Sequence, residues 1–155
     1  MKFTYSIPTK ILFGPGSFND LATTPLPGKK ALVVITAGKS MRANGYLDRL
    51  IDMLDKQGIG HALFDKILPN PVLRHVHEGA ALAREQGCDF VIGLGGGSSI
   101  DSAKSIAVMA KNPGDYWDYI SGHEPDWPVR DGQQLRQPLH HRRPGAQTVS
   151  CRSTL

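Results

Sequence analysis

The chain alternates between short apolar runs and amphipathic stretches. KALVVIT (residues 30–36), IGHALFDK (59–66) and CDFVIGL (88–94) are predicted to be strands, and the first and last are apolar enough to be buried on both faces. Each run is followed by a stretch whose apolar residues recur at helical spacing. This alternation predicts an α/β fold, a Rossmann-like, doubly wound parallel sheet with helices on both faces.

Three apolar stripes mark the predicted helices. The first consists of Leu47, Leu50, Ile51 and Leu54, the second of Val72, Val76, Ala80 and Ala83, and the third of Ile100, Ala103, Ala107 and Ala110. Gly58 and Gly87 follow the first two stripes and predict where those helices end. Ser98 or Ser99 is predicted to cap the start of the third helix.

The two ends of the chain depart from this pattern. KFTYSI (residues 2–7) and TKILFG (9–14), separated by Pro8, predict a small N-terminal β-hairpin that leads into the turn FGPGS (13–17). After Gly122 no apolar period remains. We therefore expect an α/β domain over residues 1–130 and a tail over 131–155 that is disordered or translated out of frame.

The distribution of charge supports the same division. The net charge is +4, although residues 1–131 carry equal numbers of basic and acidic side chains. The whole excess comes from Arg136, Arg142, Arg143 and Arg152, in a tail with no acidic or aromatic residue. A nucleic-acid-binding face needs basic residues on a folded surface with groove-reading partners, so no nucleic-acid partner is expected.

Length and composition restrict the class of protein. With 155 residues and 40% apolar content, the chain fits one globular domain. It has no run of 18 apolar residues and no signal-peptide pattern at its start, so we expect neither a membrane span nor export. Its two cysteines lie in unlike contexts and predict no disulfide framework, which makes a reduced, cytoplasmic location the simplest expectation.

The segment GLGGGSS (residues 93–99) joins the third strand to the third helix and has two interpretations. As a phosphate site, it combines the positive end of a helix with glycines that let a pyrophosphate approach the backbone. As a purely structural turn, it supplies positive φ values and a weak capping box from Ser98 to Asp101. It nearly fits G-x-G-x-x-G, but Ser98 replaces the final glycine and the segment follows the third strand. The spacing by itself leaves both interpretations open.

Three motifs together carry a family resemblance. FGPGS, then PNP (residues 69–71) with VHEG (76–79), then AREQGCDFVIGLGGGSSIDSAKSIAVMAKNPG (83–114) resemble the iron-containing, group III alcohol dehydrogenases. Glycerol dehydrogenase and dehydroquinate synthase share the fold of that superfamily. The resemblance extends over residues 13–120 and implies that the glycine turn binds the pyrophosphate of a nicotinamide cofactor.

The resemblance also implies roles for individual residues. It implies that the pyrophosphate is bound by Gly96, Gly97, Ser98 and Ser99. Asp101 is implied to orient the turn, and Asn70 is implied to lie beside the cofactor. The loop after KALVVIT meets the adenosine ribose and contains Gly38, Lys39 and Ser40.

The composition of that ribose loop bears on the choice of cofactor. A carboxylate there would bind the ribose hydroxyls and repel a 2′-phosphate, but residues 36–40 contain none. Gly38, Lys39 and Ser40 offer amides, a cation and a hydroxyl instead. We therefore expect NAD(P), with NADP(H) favoured over NAD(H). The alternative for Lys39 is an ordinary exposed lysine that opens a helix.

The chemistry implied by the resemblance is hydride transfer between the nicotinamide and a small alcohol or aldehyde, with Fe²⁺ or Zn²⁺ polarising the oxygen. In the family, an aspartate and three histidines of an all-helical C-terminal domain hold the metal. We expect that domain and those ligands to be missing here, so no catalytic or metal-binding residue is assigned. His75 and His77, two apart on a predicted helix, diverge by about 200° and are assigned to the helix surface.

Three functional hypotheses follow. The chain is the cofactor-binding part of a metal-dependent alcohol dehydrogenase, a nucleotide-binding module without catalysis, or a non-functional fragment. The resemblance implies the first, together with homo-oligomers of the full-length family. Nucleotide binding and alcohol turnover by the purified chain separate the three.

Overall fold

The computed structural model describes residues 10–70, 72–119 and 148–151 and shows an α/β fold around a parallel sheet. The strands are β1 (Lys30–Thr36), β2 (Gly60–Ile67), β3 (Phe90–Leu94) and β4 (Thr148–Cys151), in the order β2-β1-β3-β4. The helices are α1 (Ser40–Ala43), α2 (Tyr46–Lys56), α3 (Leu73–Glu85) and α4 (Gly97–Lys111). Two 3₁₀ helices, Ser17–Ala22 and Tyr116–Tyr119, flank them. None of the described helices is long and apolar enough to cross a membrane.

Strand β1 supplies side chains to two hydrophobic cores. Ala31, Val33 and Ile35 pack in the core that contains α2, whereas Leu32 and Val34 pack in the core of α3 and α4. All five side chains are fully buried. The expected sheet with helices on both faces is therefore confirmed, because alternate residues of an apolar strand point to opposite faces.

The predicted helix ends and most of the predicted stripes are confirmed. Gly58 and Gly87 follow α2 and α3 with φ values of +69° and +63°, which glycine adopts without strain. In α4, however, Ile100 and Ala110 are only half-buried. The buried set instead includes Ser99, Ser102 and Ser105. Ser105 is covered by Tyr116, whose hydroxyl lies 2.7 Å from Ser105 Oγ, so α4 is packed over more of its circumference than one stripe predicts.

The predicted cap of α4 is wrong. Gly96 is the N-cap, the helix begins at Gly97, and no side chain caps it. Ser98 and Ser99 therefore lie inside the first turn. The extended backbone of Gly96 (φ −85°, ψ −167°) lets the helix start earlier than a serine cap would allow.

The expectations for the two ends are corrected in part. The described part of the second hairpin arm, residues 10–14, is not a strand, and its Ile11 and Phe13 are 72% and 90% exposed. Without a buried face to pack, an apolar run gains nothing from strand pairing. The first arm lies outside the described residues, as does most of the tail. Residues 148–151, expected to be without structure, form β4 in parallel register with β3, because the outer edge of β3 offers unpaired backbone groups.

A carboxylate holds the starts of β1 and β3 together. Asp89 Oδ2 accepts hydrogen bonds from the backbone N–H groups of Lys29 (2.6 Å) and Lys30 (3.1 Å). These bonds, that of Lys29 first, hold the pKa of Asp89 below its ordinary value. A Cβ at Gly28 would lie 2.4 Å from Asp89 Cβ, so the chain passes this carboxylate at very close range.

We expect Asp89→Asn to lower the free energy of unfolding at pH 7 and to make it less sensitive to acid. A carboxyl whose folded pKa is depressed stabilises the fold above its unfolded pKa of about 4, and that stabilisation is lost as the pH falls through the folded value. Urea unfolding at pH 7 and pH 3 measures the difference. Asp52→Asn is the control, since Asp52 is exposed and has no hydrogen bond or ion pair among the described residues. An equal loss at both pH values would contradict the assignment.

Candidate functional site

A crevice is expected where the chain leaves two neighbouring strands in opposite directions. After β1 the chain runs through α2 to β2, which is one edge strand of the sheet. After β3 it runs through α4 towards β4, which is the opposite edge strand. Helices α2 and α4 also cover opposite faces. In open parallel sheets, ligands bind outside the carboxyl ends of the strands at such a switch point. The candidate site therefore lies between residues 37–40 and residues 95–99.

Two glycines of the segment 93–99, Gly93 in β3 and Gly95 in the turn after it, are required by the fold itself. A Cβ at Gly93 would lie 2.9 Å from Ala103 Cβ and 3.1 Å from Ile100 Cα, so glycine allows α4 to pack directly on β3. Gly95 has a φ of +132°, which strongly favours glycine. These two positions fit the purely structural interpretation of the glycine segment.

Gly96 and Gly97 are not required by the fold. Both are exposed, neither has a positive φ, and a Cβ on either would meet no atom of the neighbouring elements that the structure describes within 4 Å. An alanine side chain would therefore fit at either position in this structure. Their missing Cβ atoms leave open space directly above the N-terminus of the 15-residue helix α4. That is the setting in which backbone N–H groups and the helix dipole bind anions.

Ser99 supplies a buried hydroxyl without a partner. Its side chain is 0% exposed, and Oγ has no hydrogen bond among the described residues. It lies beside the turn, since a Cβ at Gly95 would be 3.0 Å from Ser99 Oγ. Buried polar groups are nearly always hydrogen-bonded, so the Ser99 hydroxyl is available to a ligand atom or a water molecule at this helix N-terminus.

Ser98 and Asp101 occupy more exposed positions of the same helix. Ser98 is half-buried in the first turn, next to Gly97. Asp101 is exposed, and its Oδ1 lies 3.6 Å from Lys104 Nζ one turn further on. Among the described residues the Asp101 carboxylate makes no hydrogen bond to the glycine turn. Its expected role in orienting the turn stays a prediction.

The start of α1, directly after the loop that follows β1, lies beside the glycine turn. Gly38, Lys39 and Ser40 are all exposed. The next residue, Met41, is buried, and its Cγ would lie 3.8 Å from a Cβ at Gly95. The structure thus brings together two predicted segments that are more than 50 residues apart in the sequence.

Asn70 lies on the same edge of the sheet. It follows β2, is exposed, and has a φ of +80°, the only positive φ of a non-glycine residue in the described ranges. The loop of β1 is tied to this edge by a hydrogen bond from Ala37 N–H to the carbonyl oxygen of Ile67 (2.8 Å). Asparagine tolerates this conformation better than most residues, and such strained positions concentrate at functional sites.

Sequence reasoning missed an ion pair at this edge. The Arg42 guanidinium on α1 donates a hydrogen bond to the Asp65 carboxylate near the end of β2. Both side chains are about half exposed. Their separation of 23 positions gives no local signal, because the two residues meet only when the fold brings α1 to the end of β2.

The assignment of both histidines to the helix surface is half right. His77 is partly exposed, with Nε2 3.6 Å from Asp115 Oδ2. His75 is buried at 5% exposure, and its Nδ1 has no partner in the described part of the chain. Its burial was missed because α3 is covered on the His75 side as well as along the apolar stripe. No three His, Cys, Asp or Glu side chains of the described residues group closely enough to hold a metal ion.

Comparison with known proteins identifies sequences that are related to this chain. A family model described as iron-containing alcohol dehydrogenase matches residues 8–139, a range that overlaps the start of the predicted tail. A probable NADH-dependent butanol dehydrogenase of Bacillus subtilis is 38% identical over 124 residues, covering 79% of this chain and 32% of that protein. An NADPH-dependent butanol dehydrogenase of Clostridium saccharobutylicum is 37% identical over 120 residues, covering 77% and 30%.

A solved structure agrees with these relatives. The NADH-dependent butanol dehydrogenase A of Thermotoga maritima superposes with a TM-score of 0.68 at 36% identity, covering 76% of this chain and 30% of that one. The chain thus spans about a third of the length of the curated relatives it matches. The matched motifs, the parallel sheet and the glycine turn agree, and the chain belongs to the iron-containing alcohol dehydrogenase family.

Proposed function

We propose that this chain is the cofactor-binding part of an alcohol dehydrogenase that transfers a hydride between NAD(P) and a small alcohol or aldehyde. The observation that carries the proposal is the pair Gly96 and Gly97. The space beside both residues is open to solvent, and within the described part of the chain no contact or backbone angle requires glycine at either position. A ligand that approaches the backbone explains why glycine stands at both positions.

The chemistry of the turn suits a pyrophosphate. The first N–H groups of α4 have no carbonyl partner within the helix, and its N-terminus carries a partial positive charge. The unpartnered Ser99 hydroxyl is a further donor for a phosphate oxygen. We assign Gly96, Gly97, Ser98 and Ser99 to the pyrophosphate and Asn70 to a place beside the cofactor. The nicotinamide of the bound cofactor supplies the hydride chemistry.

The adenosine end of the cofactor belongs, in this proposal, to the loop after β1. Gly38, Lys39 and Ser40 are exposed there and no carboxylate stands among them, which supports NADP(H) over NAD(H). The printed names of the relatives leave the preference open, since one is called NADH-dependent and another NADPH-dependent. The lysine cation is the group that distinguishes a 2′-phosphate from a hydroxyl.

Iron does not fit the residues that the structure describes. Those residues contain no cluster of potential ligands, so no step of the reaction is assigned to a metal here. The proposal for this chain is accordingly limited to binding and orienting the dinucleotide.

Titration of the purified chain with NADPH and NADH, followed by cofactor fluorescence, tests the proposal. We expect saturable binding of both, with the lower Kd for NADPH. Alcohol oxidation assayed with added Fe²⁺ distinguishes a binding module from an enzyme, because binding without turnover identifies the former. If neither dinucleotide shows saturable binding, the proposed function is refuted.

Ser99→Ala provides a local test of the pyrophosphate assignment. Without cofactor, we expect the free energy of unfolding to be unchanged or raised by up to about 1 kcal/mol, since an unpaired buried hydroxyl is removed. The Kd for NADPH should rise about five-fold, or about 1 kcal/mol, the effect of losing one hydrogen bond of ordinary strength. Urea unfolding and fluorescence titration measure the two. A large loss of stability would show instead that the Ser99 hydroxyl supports the fold.

A further inference from the structure

We propose that the ion pair between Arg42 and Asp65 sets the discrimination between NADPH and NADH. This inference rests on the proposed function, and it adds two residues that no motif assigns. Arg42 acts as a second cation for the 2′-phosphate, and the Asp65 carboxylate partly neutralises its charge. The pair therefore tunes the charge presented to the adenosine ribose.

The position of the pair supports this role. Arg42 lies three residues after Lys39 on the single turn of α1, so both residues lie on one side of that turn. Asp65 belongs to β2, the strand that pairs with β1, and it meets Arg42 where the carboxyl ends of the strands lie. Both side chains are about half exposed and can therefore meet a ligand at this edge.

Neither Arg42 nor Asp65 forms a second salt bridge with another described residue. Lys66, next to Asp65, lies 3.7 Å from Glu78 on α3 and so has its own partner. Arg42 is the cation that the structure places on Asp65. Lys39, Arg42 and Asp65 together leave one net positive charge beside the ribose loop. Removing the charge of Asp65 raises that net charge, and removing the charge of Arg42 lowers it.

The experiment compares Asp65→Asn, Arg42→Met and the double variant with the parent chain. Asp65→Asn frees the guanidinium, so the ratio of the Kd for NADH to the Kd for NADPH should rise about three-fold or more. Arg42→Met leaves an uncompensated carboxylate that accepts bonds from ribose hydroxyls, so the ratio should fall by a similar factor. The double variant restores the net charge and should return the ratio towards that of the parent. The shifts should shrink at high salt.

Opposite shifts cannot arise from damage to the fold, because both single variants break the same ion pair. Shifts in the same direction, or none, while both dinucleotides still bind, would overturn the inference and leave the proposed function standing. If neither dinucleotide binds the parent chain, the proposed function fails and this inference fails with it. Unfolding midpoints of the four proteins, measured in parallel, should agree closely because the exposed pair contributes little stability.

Discussion

Gly97→Ala is expected to raise the Kd for NADPH at least about ten-fold, or 1.4 kcal/mol, without weakening the fold. The new methyl group would meet no atom of another described residue outside its own turn within 4 Å, and the position is helical with an ordinary φ. Alanine is the better helix former, so the free energy of unfolding should stay unchanged or rise by up to about 1 kcal/mol. The methyl does occupy the space through which a phosphate oxygen would reach the backbone N–H groups. Fluorescence titration and urea unfolding give the two quantities.

Gly60→Ala is the matched control for this result. It makes the same chemical change at the start of β2, on the opposite edge of the sheet, where the nearest contact would be 3.4 Å from the flexible Lys30 side chain. Its Kd for NADPH should equal that of the parent chain. If Gly97→Ala also binds NADPH like the parent, the turn does not hold the pyrophosphate, and the purely structural interpretation is correct.

Gly93→Ala is expected to destabilise the fold by about 2–3 kcal/mol, the cost of forcing an extra methyl into a filled core. Two of the three atoms it would meet belong to the backbone, Ile100 Cα and Ser99 O, both at 3.1 Å. Because backbone atoms cannot rotate away, α4 would have to move off β3. Urea unfolding at neutral pH measures the loss. Dinucleotide affinity should fall as well, since the first turn of α4 moves.

Combining Gly93→Ala with Ala103→Gly tests the cause. The second change removes the Cβ that lies 2.9 Å from the new methyl, but leaves both backbone contacts. The pair should therefore be coupled by at least about 0.5 kcal/mol, with incomplete rescue. Strict additivity would contradict close packing of α4 on β3 as the source of the loss. Gly60→Ala again reports the effect of alanine in a strand without crowding.

The central sheet could be predicted from the sequence because its signals are local. KALVVIT and CDFVIGL have no polar face to expose, and each glycine that ends α2 or α3 is needed for its φ. Strand β4 could not be predicted, since four residues in a polar segment carry little periodicity and their pairing depends on the outer edge of β3. Residues 10–14 misled in the opposite way, since an apolar run that the fold leaves exposed does not form a strand.

The candidate site divides along the same line. The glycine turn and the loop after β1 could be located from motifs, and the fold explains why they lie close together. The distinction between Gly93, which the packing requires, and Gly97, which it does not, needs atomic neighbours that no sequence provides. The partners of Arg42 and the burial of His75 likewise depend on which elements pack together.

The double role of β1 has a consequence for how this protein unfolds. Ala31, Val33 and Ile35 anchor one core, and Leu32 and Val34 anchor the other, so one backbone segment of five residues belongs to both. Neither core can unfold alone without exposing apolar side chains of this strand to water. Denaturation should therefore be a single cooperative transition, in which probes on the α2 side and on the α4 side lose their signals at the same denaturant concentration.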